Sequence, residues 1–219
     1  MTETLEKLQQ RLAQIEDQIE AEFARRRAEL RYHLDRRRVV FEEGVREAHR
    51  AARVRLWLFL RRTRPMVVLT APVIYMLIVP FALLDLCVTL YQAICFPVYG
   101  IARLRRRDYI AIDRQHLAYL NGLQKLNCIY CGYCNGVIGF VRAVAGRTEQ
   151  YWCPIKHARR VRGTHDNYAG FTDYGDAEAF VSQLMPLRRA LKEDPESPSD
   201  RQADDAGDGA DAPSGRPRD

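Results

Sequence analysis

The chain has 219 residues and a net charge of +6, with 28% charged and 47% apolar side chains. That length suits one or two domains. The charge is zoned: residues 1–65 carry +5, residues 66–100 hold only Asp85, residues 101–191 carry +7 and residues 192–219 carry −5. Basic zones flanking an uncharged one argue for a membrane protein and against nucleic acid as a partner.

The opening MTETLEKLQQ lacks an apolar h-region, so no cleavable signal peptide is expected. Residues 4–50 contain no proline and one glycine, Gly44. Leu5, Leu8, Leu12, Ile15 and Ile19 follow 3-4 spacing, and Phe23, Leu30 and Leu34 continue it after a shifted step. One amphipathic helix is expected over residues 1–60. It would form a coiled coil, giving a homo-oligomer or docking a protein partner, or it would fold back on the chain's own soluble part. About two clean heptads leave both readings open. The arginines at 25–27 and 36–38 are candidates for lipid headgroups, with a solvated helix face as the alternative. His33 and His49 have no ligand-spaced neighbours and read as surface residues.

Met66 to Tyr99, MVVLTAPVIYMLIVPFALLDLCVTLYQAICFPVY, is too long and apolar for a soluble core helix. As one straight helix it would measure about 50 Å, against a hydrocarbon core about 30 Å thick. Arg53, Arg55, Arg61, Arg62 and Arg64 precede it, and Arg103, Arg105, Arg106 and Arg107 follow. The positive-inside tendency pulls both flanks to the cytoplasm. A membrane hairpin over residues 61–107 is therefore expected, turning at Pro80 to Asp85, with a single span as the alternative. The protein would sit in the inner membrane with both termini cytoplasmic and the bilayer as partner. Cys87 and Cys95 read as packing or lipid-facing residues. Trp57, Tyr75, Tyr91 and Tyr99 suit an interface or helix packing.

Residues 108–191 form the next expected unit, a small helical module facing the cytoplasm. Helical spacing runs from Tyr109 to Leu126, then NCIYCGYCNG, then a second amphipathic helix over VIGFVRAVAGRTEQYW. Cys128 and Cys131 make C-x2-C. Cys153 and His157 make C-x3-H, and share a face if Pro154 opens a helix. Two chelating pairs joined by about 20 residues suit a closed tetrahedral zinc site of structural type. Cys134 keeps other chemistries open. With it the run is C-x2-C-x2-C plus a distant Cys-Pro, as in an iron–sulfur shell. CGYC alone resembles a redox dithiol, though without the βαβ context that reading needs. Unliganded buried cysteines are the remaining alternative.

LNCIYCGYCNG together with RTEQYWCPIKHARR resembles an uncharacterised family of bacterial inner-membrane proteins carrying NCxYC and YWCPIKHA motifs and an apolar hairpin, over about residues 66–165. The resemblance carries over Cys128, Cys131, Cys153 and His157. It implies that the position of Cys134 need not be cysteine, which favours zinc, and it implies no activity.

Lys156, Arg159, Arg160 and Arg162 form a basic patch, read first as a solvated helix end and otherwise as a headgroup or phosphate contact. His116 and His165 read as non-ligand residues. Asp176 is a candidate cap for a helix holding Phe180, Val181 and Leu184. Residues 192–219 have the composition of a disordered acidic tail. No G-x-S-x-G, Walker A, G-x-G-x-x-G or H-E-x-x-H occurs, so no enzyme is expected. The reading is a mostly α-helical, membrane-anchored, cytoplasm-facing scaffold or adaptor with a structural zinc site. The alternative is a membrane-bound iron–sulfur or thiol-redox protein.

Overall fold

The structure is a computed structural model that describes residues 2–35, 38–42 and 44–192. Residues 193–219, most of the expected tail, lie outside the described residues, as do Arg36 and Arg37. So do the side chains of Leu5, Leu8, Leu12, His33 and Leu34. The described chain is mostly helical, with two helices long and apolar enough to cross a membrane. It divides into two compact units, one of residues 1–53 with 116–119, the other of residues 54–115 with 120–192.

In the first unit, α1 (Thr2–Glu29) is laced by ion pairs one turn apart, Arg25 and Arg26 with Glu22, and Arg25 with Glu29. The helix does not run on to residue 60 as expected. It ends at Glu29, and after Arg31, whose φ of 54° is left-handed, the chain enters an antiparallel pair, β1 (Tyr32–Asp35) and β2 (Arg38–Phe41). Aromatic and β-branched residues explain the switch, because Tyr32, Val39, Val40 and Phe41 favour a pleated surface over a helix. The Tyr32 and Phe41 rings meet across the ladder at 5.7 Å. Gly44, at φ 83°, then supplies the left-handed residue that starts α2 (Val45–Ala51). His49 is half-buried, edge-on between the rings of Phe41 and Tyr119. The stripe of Ile15, Ile19 and Phe23 stands exposed on α1.

In the second unit, α3 (Leu56–Arg62) leads into α4 (Pro65–Met76) and α5 (Ile78–Tyr99). The expected turn at Pro80 to Asp85 does not form. Leu77, which joins α4 to α5, keeps right-handed helical angles (φ −65°, ψ −13°), and Pro65–Tyr99 continues as one apolar stretch. Pro80 sits in the first turn of α5, where a missing backbone N–H costs little. Asp85 lies a full turn further on, inside the helix.

Gly100, at φ 69°, ends α5, and residues 101–121 return as an irregular strap with two short 3-10 turns. The expected helix from Tyr109 does not form, and the first residues of the strap are bonded to α5. Gln92 of α5 donates to Leu104 O and accepts from Leu104 N, both at 3.0 Å, as a neighbouring strand would. Arg103 donates to Ala93 O at 2.6 Å. Helix formation restarts only at Asn121, whose side chain and Gln124 make a reciprocal capping box.

From there α6 (Gly122–Trp152) runs unbroken through all three central cysteines. It lies parallel to α5: Asp85, Tyr91 and Tyr99 meet Tyr133, Thr148 and Tyr151 in that order. The strap runs back against both. Its passage needs glycine on α6, since a Cβ on Gly136 would lie 2.7 Å from Tyr109 O, and one on Gly132 2.9 Å from Ala111 O. Phe96, Ile101, Leu104, Phe140, Val144 and Leu191 form the core where α5, strap, α6 and the C-terminal segment meet. Arg147 donates to Ala102 O, and Gln150 to Leu187 O. α7 (Ala177–Ala190) is capped by Asp176, as its sequence suggests, and Arg188 lies over the Tyr151 ring at 4.7 Å.

Candidate functional site

The cysteines follow from the course of α6. Cys128, Cys131 and Cys134 sit on it at intervals of three, half-buried, exposed and buried respectively. Cys153 caps its far end. Twenty-five residues of helix separate Cys128 from Cys153, about 37 Å at ~1.5 Å per residue. The expected set of Cys128, Cys131, Cys153 and His157 is therefore not assembled within the chain, and the helix that separates Cys128 from Cys153 keeps an iron–sulfur shell of Cys128, Cys131, Cys134 and Cys153 apart in the same way. Metal–sulfur and metal–nitrogen bonds of about 2.0–2.3 Å leave no latitude for such a gap. Among the described residues no three His, Cys, Asp or Glu side chains are placed to share a metal.

The C-x3-H half also departs from expectation. Pro154 does not open a helix. Ile155 makes a bridge to Thr172, with Lys156 N donating to Thr172 O and Thr172 N to Pro154 O. The bonds that would have closed a helical turn are thus spent across the chain. His157 stacks on Tyr168, and its backbone N–H donates to the Tyr168 hydroxyl at 2.7 Å. CGYC fares no better as a redox motif. It lies in the middle of α6, where the N-terminal dipole that would activate a thiol has faded.

The polar site that the fold does assemble surrounds Asp85, which is 7% exposed. Arg106, from the strap, donates from Nε to Oδ1 at 2.8 Å and from Nη2 to Oδ2 at 2.5 Å. Tyr133, from α6, donates to Oδ2 at 2.9 Å, and Thr89 approaches Oδ1 at 3.5 Å. The guanidinium carbon lies 6.0 Å from the Tyr133 ring centre. The carboxylate is thus held by a two-pronged guanidinium and one or two hydroxyls, the arrangement that makes a charge tolerable in an apolar setting. Hydrogen bonding to the carboxylate pushes the Arg106 pKa above its ordinary value, so Arg106 remains a cation. The site holds three chain segments together and contains no nucleophile or open metal position. Asp85 was visible in the sequence, but its partners were not. The signal was there in principle: a lone acid in an apolar block demands a cation, and the strap carries four arginines within five residues.

A second polar pair lies further along α6. Glu149 Oε2 is 2.9 Å from His165 Nε2, and the imidazole packs so closely on Gly146 that a Cβ there would meet the ring at 2.5 Å. The basic patch is dispersed. Lys156 pairs with Asp173 at 2.9 Å, while Arg159, Arg160 and Arg162 stand exposed in a loop and not on a helix end. No protein-family model, curated protein or solved structure matches the chain.

Proposed function

We propose that this protein is a membrane-anchored scaffold, held in the bilayer by α4 and α5 and exposing α1 to partners. One observation carries the reading: none of the most apolar window of Pro65–Tyr99 is buried within the protein. Leu69 is 71% exposed and Val98 77%. At about 25 cal/mol for each Å2 of apolar surface, leaving such a face in water is costly, and lipid removes the cost. α6 meets the same length and composition test, but a third of its window is already buried, so part of its apolar character serves packing. The exposed Ile15, Ile19 and Phe23 stripe supports docking of a partner helix.

The arginines at the foot of α4 favour the cytoplasmic face of an inner membrane for that end. The expectation that both termini are cytoplasmic rested on the turn at Pro80 to Asp85 and does not follow from a continuous α4–α5. The zinc site and its iron–sulfur and dithiol alternatives are not carried forward, for the geometric reasons above.

Alkaline extraction followed by vesicle flotation tests the anchor. The full chain should stay with the lipid, and a chain lacking residues 65–99 should not. Release of the intact chain by alkali would overturn the proposal.

A further inference from the structure

The geometry points to a binding site for an anionic phospholipid at the foot of α4, formed by the Arg61 guanidinium over the apolar side chains of α4. This deepens the anchor reading and rests on it. An open groove of about 680 Å3 is lined by Leu60, Arg61, Thr63, Pro65, Val68, Leu69 and Pro72. Its upper rim is polar and its floor apolar, the two-part character of a lipid headgroup and acyl chain.

Charge identifies the occupant. Arg55, Arg61, Arg62 and Arg64 are all exposed, and among the described residues none has an ion pair or side-chain hydrogen bond. By contrast, Arg25 and Arg26 pair with Glu22, and Arg106 with Asp85. The four cannot be neutralised locally, because no Asp or Glu occurs from Ala48 to Leu84. The anion must come from outside the segment, and the groove beneath it is apolar. A phosphodiester headgroup carrying a net negative charge meets both conditions, whereas a free phosphate leaves the floor bare. α3 fits the same placement. Leu56, Trp57 and Leu58 are exposed, with Trp57 at 75%, in a short helix that ends in Arg61 and Arg62. Tryptophan beside arginine at the start of an apolar helix is the pattern of a segment lying in the headgroup layer.

The test uses Trp57 as the reporter. The chain has two tryptophans, so Trp152→Phe leaves Trp57 alone. The full-length protein is reconstituted into phosphatidylcholine vesicles containing a small fraction of brominated phosphatidylglycerol or, in parallel, brominated phosphatidylcholine. Quenching of Trp57 should be several-fold stronger with the anionic lipid. Arg61→Gln should weaken the preference about five-fold, in line with ~1 kcal/mol for an arginine near an anionic surface. Arg55→Gln, outside the groove, should weaken it less, and Arg61→Lys should retain most of it. Equal quenching by the two lipids would overturn the proposal, as would equal losses from Arg55→Gln and Arg61→Gln. Flotation with pure phosphatidylcholine vesicles reads the anchor separately. Flotation without anionic preference sinks the lipid site alone, and no flotation with any vesicle sinks both.

Discussion

At the scale of single residues, Asp85 shows how an apparent fault in an apolar block is resolved. Its carboxylate is satisfied by donors 4, 21 and 48 positions away. Removing one partner leaves a desolvated charge, so Arg106→Gln should destabilise the protein. The Arg106 side chain is 44% exposed, which softens the effect to on the order of 1–3 kcal/mol. Replacing Asp85 and Arg106 together by leucine should cost less than the sum of the single changes. A double-mutant cycle from thermal unfolding in detergent checks this, and additive losses would show that the pair is not coupled. Glycine gives a sharper contrast. Gly136→Ala forces a methyl into the strap backbone and should cost about 1–3 kcal/mol, whereas Gly139→Ala, whose nearest neighbour would be a Tyr109 ring carbon at 3.6 Å, should be tolerated. The same unfolding measurement should separate the two, and equal stability would place the strap elsewhere. Asp85 was legible as an anomaly from sequence because one charge among 34 apolar-block residues needs an explanation. The cysteines were legible as two chelating pairs and misleading as one site. Spacing along a helix fixes an angle around the axis, and it brings the ends no closer.

At the scale of elements, the apolar helices were readable and the joints were not. Hydropathy identifies Pro65–Tyr99 whatever its surroundings. The strap, in contrast, carries helical spacing from Ile112 to Leu123 and yet is irregular as far as Asn121, where the capping box sets the helix start. Asn121→Ala should remove the cap at a cost of about 1 kcal/mol, seen as faster amide exchange in the first turn of α6. Unchanged exchange there would mean that packing alone defines the boundary. α1 yields a pH prediction. Hydrogen bonds from Arg25, then Arg26, hold the Glu22 pKa below its ordinary 4.5. A group with a depressed folded pKa contributes its stabilisation above the unfolded value and loses it as pH falls. A peptide of residues 2–30 should therefore lose helicity on acidification below about pH 4.5, less so in high salt because the pairs are exposed and screened. Circular dichroism against pH measures this, and a rise in helicity on acidification would contradict the pairing.

At the largest scale, the second unit is organised as a long apolar helix, a strap doubled back along it and a second long helix in the first one's direction. This path makes the two ends of α6 independent chemical neighbourhoods. Elemental analysis of the purified full chain tests that independence. Any metal retained by Cys128 and Cys131 should be unaffected by Cys153→Ser or His157→Ala. Equal loss from substitutions at both ends would mean that the four residues meet, through a broken α6 or a second copy of the chain. The membrane zone could be read from charge and hydropathy because both are summed over many residues. The parallel course of α5 and α6 could not, since it depends on which glycines admit the returning strap.

The Asp85–Arg106 pair also has an order in time. Arg106 is made 21 residues after Asp85. At roughly 5–20 residues per second, the acid leaves the ribosome about 1–4 s before its counter-ion does. Throughout that interval the nascent apolar helix carries a carboxylate without its cation. Emergence of the next segment is what completes the helix already exposed.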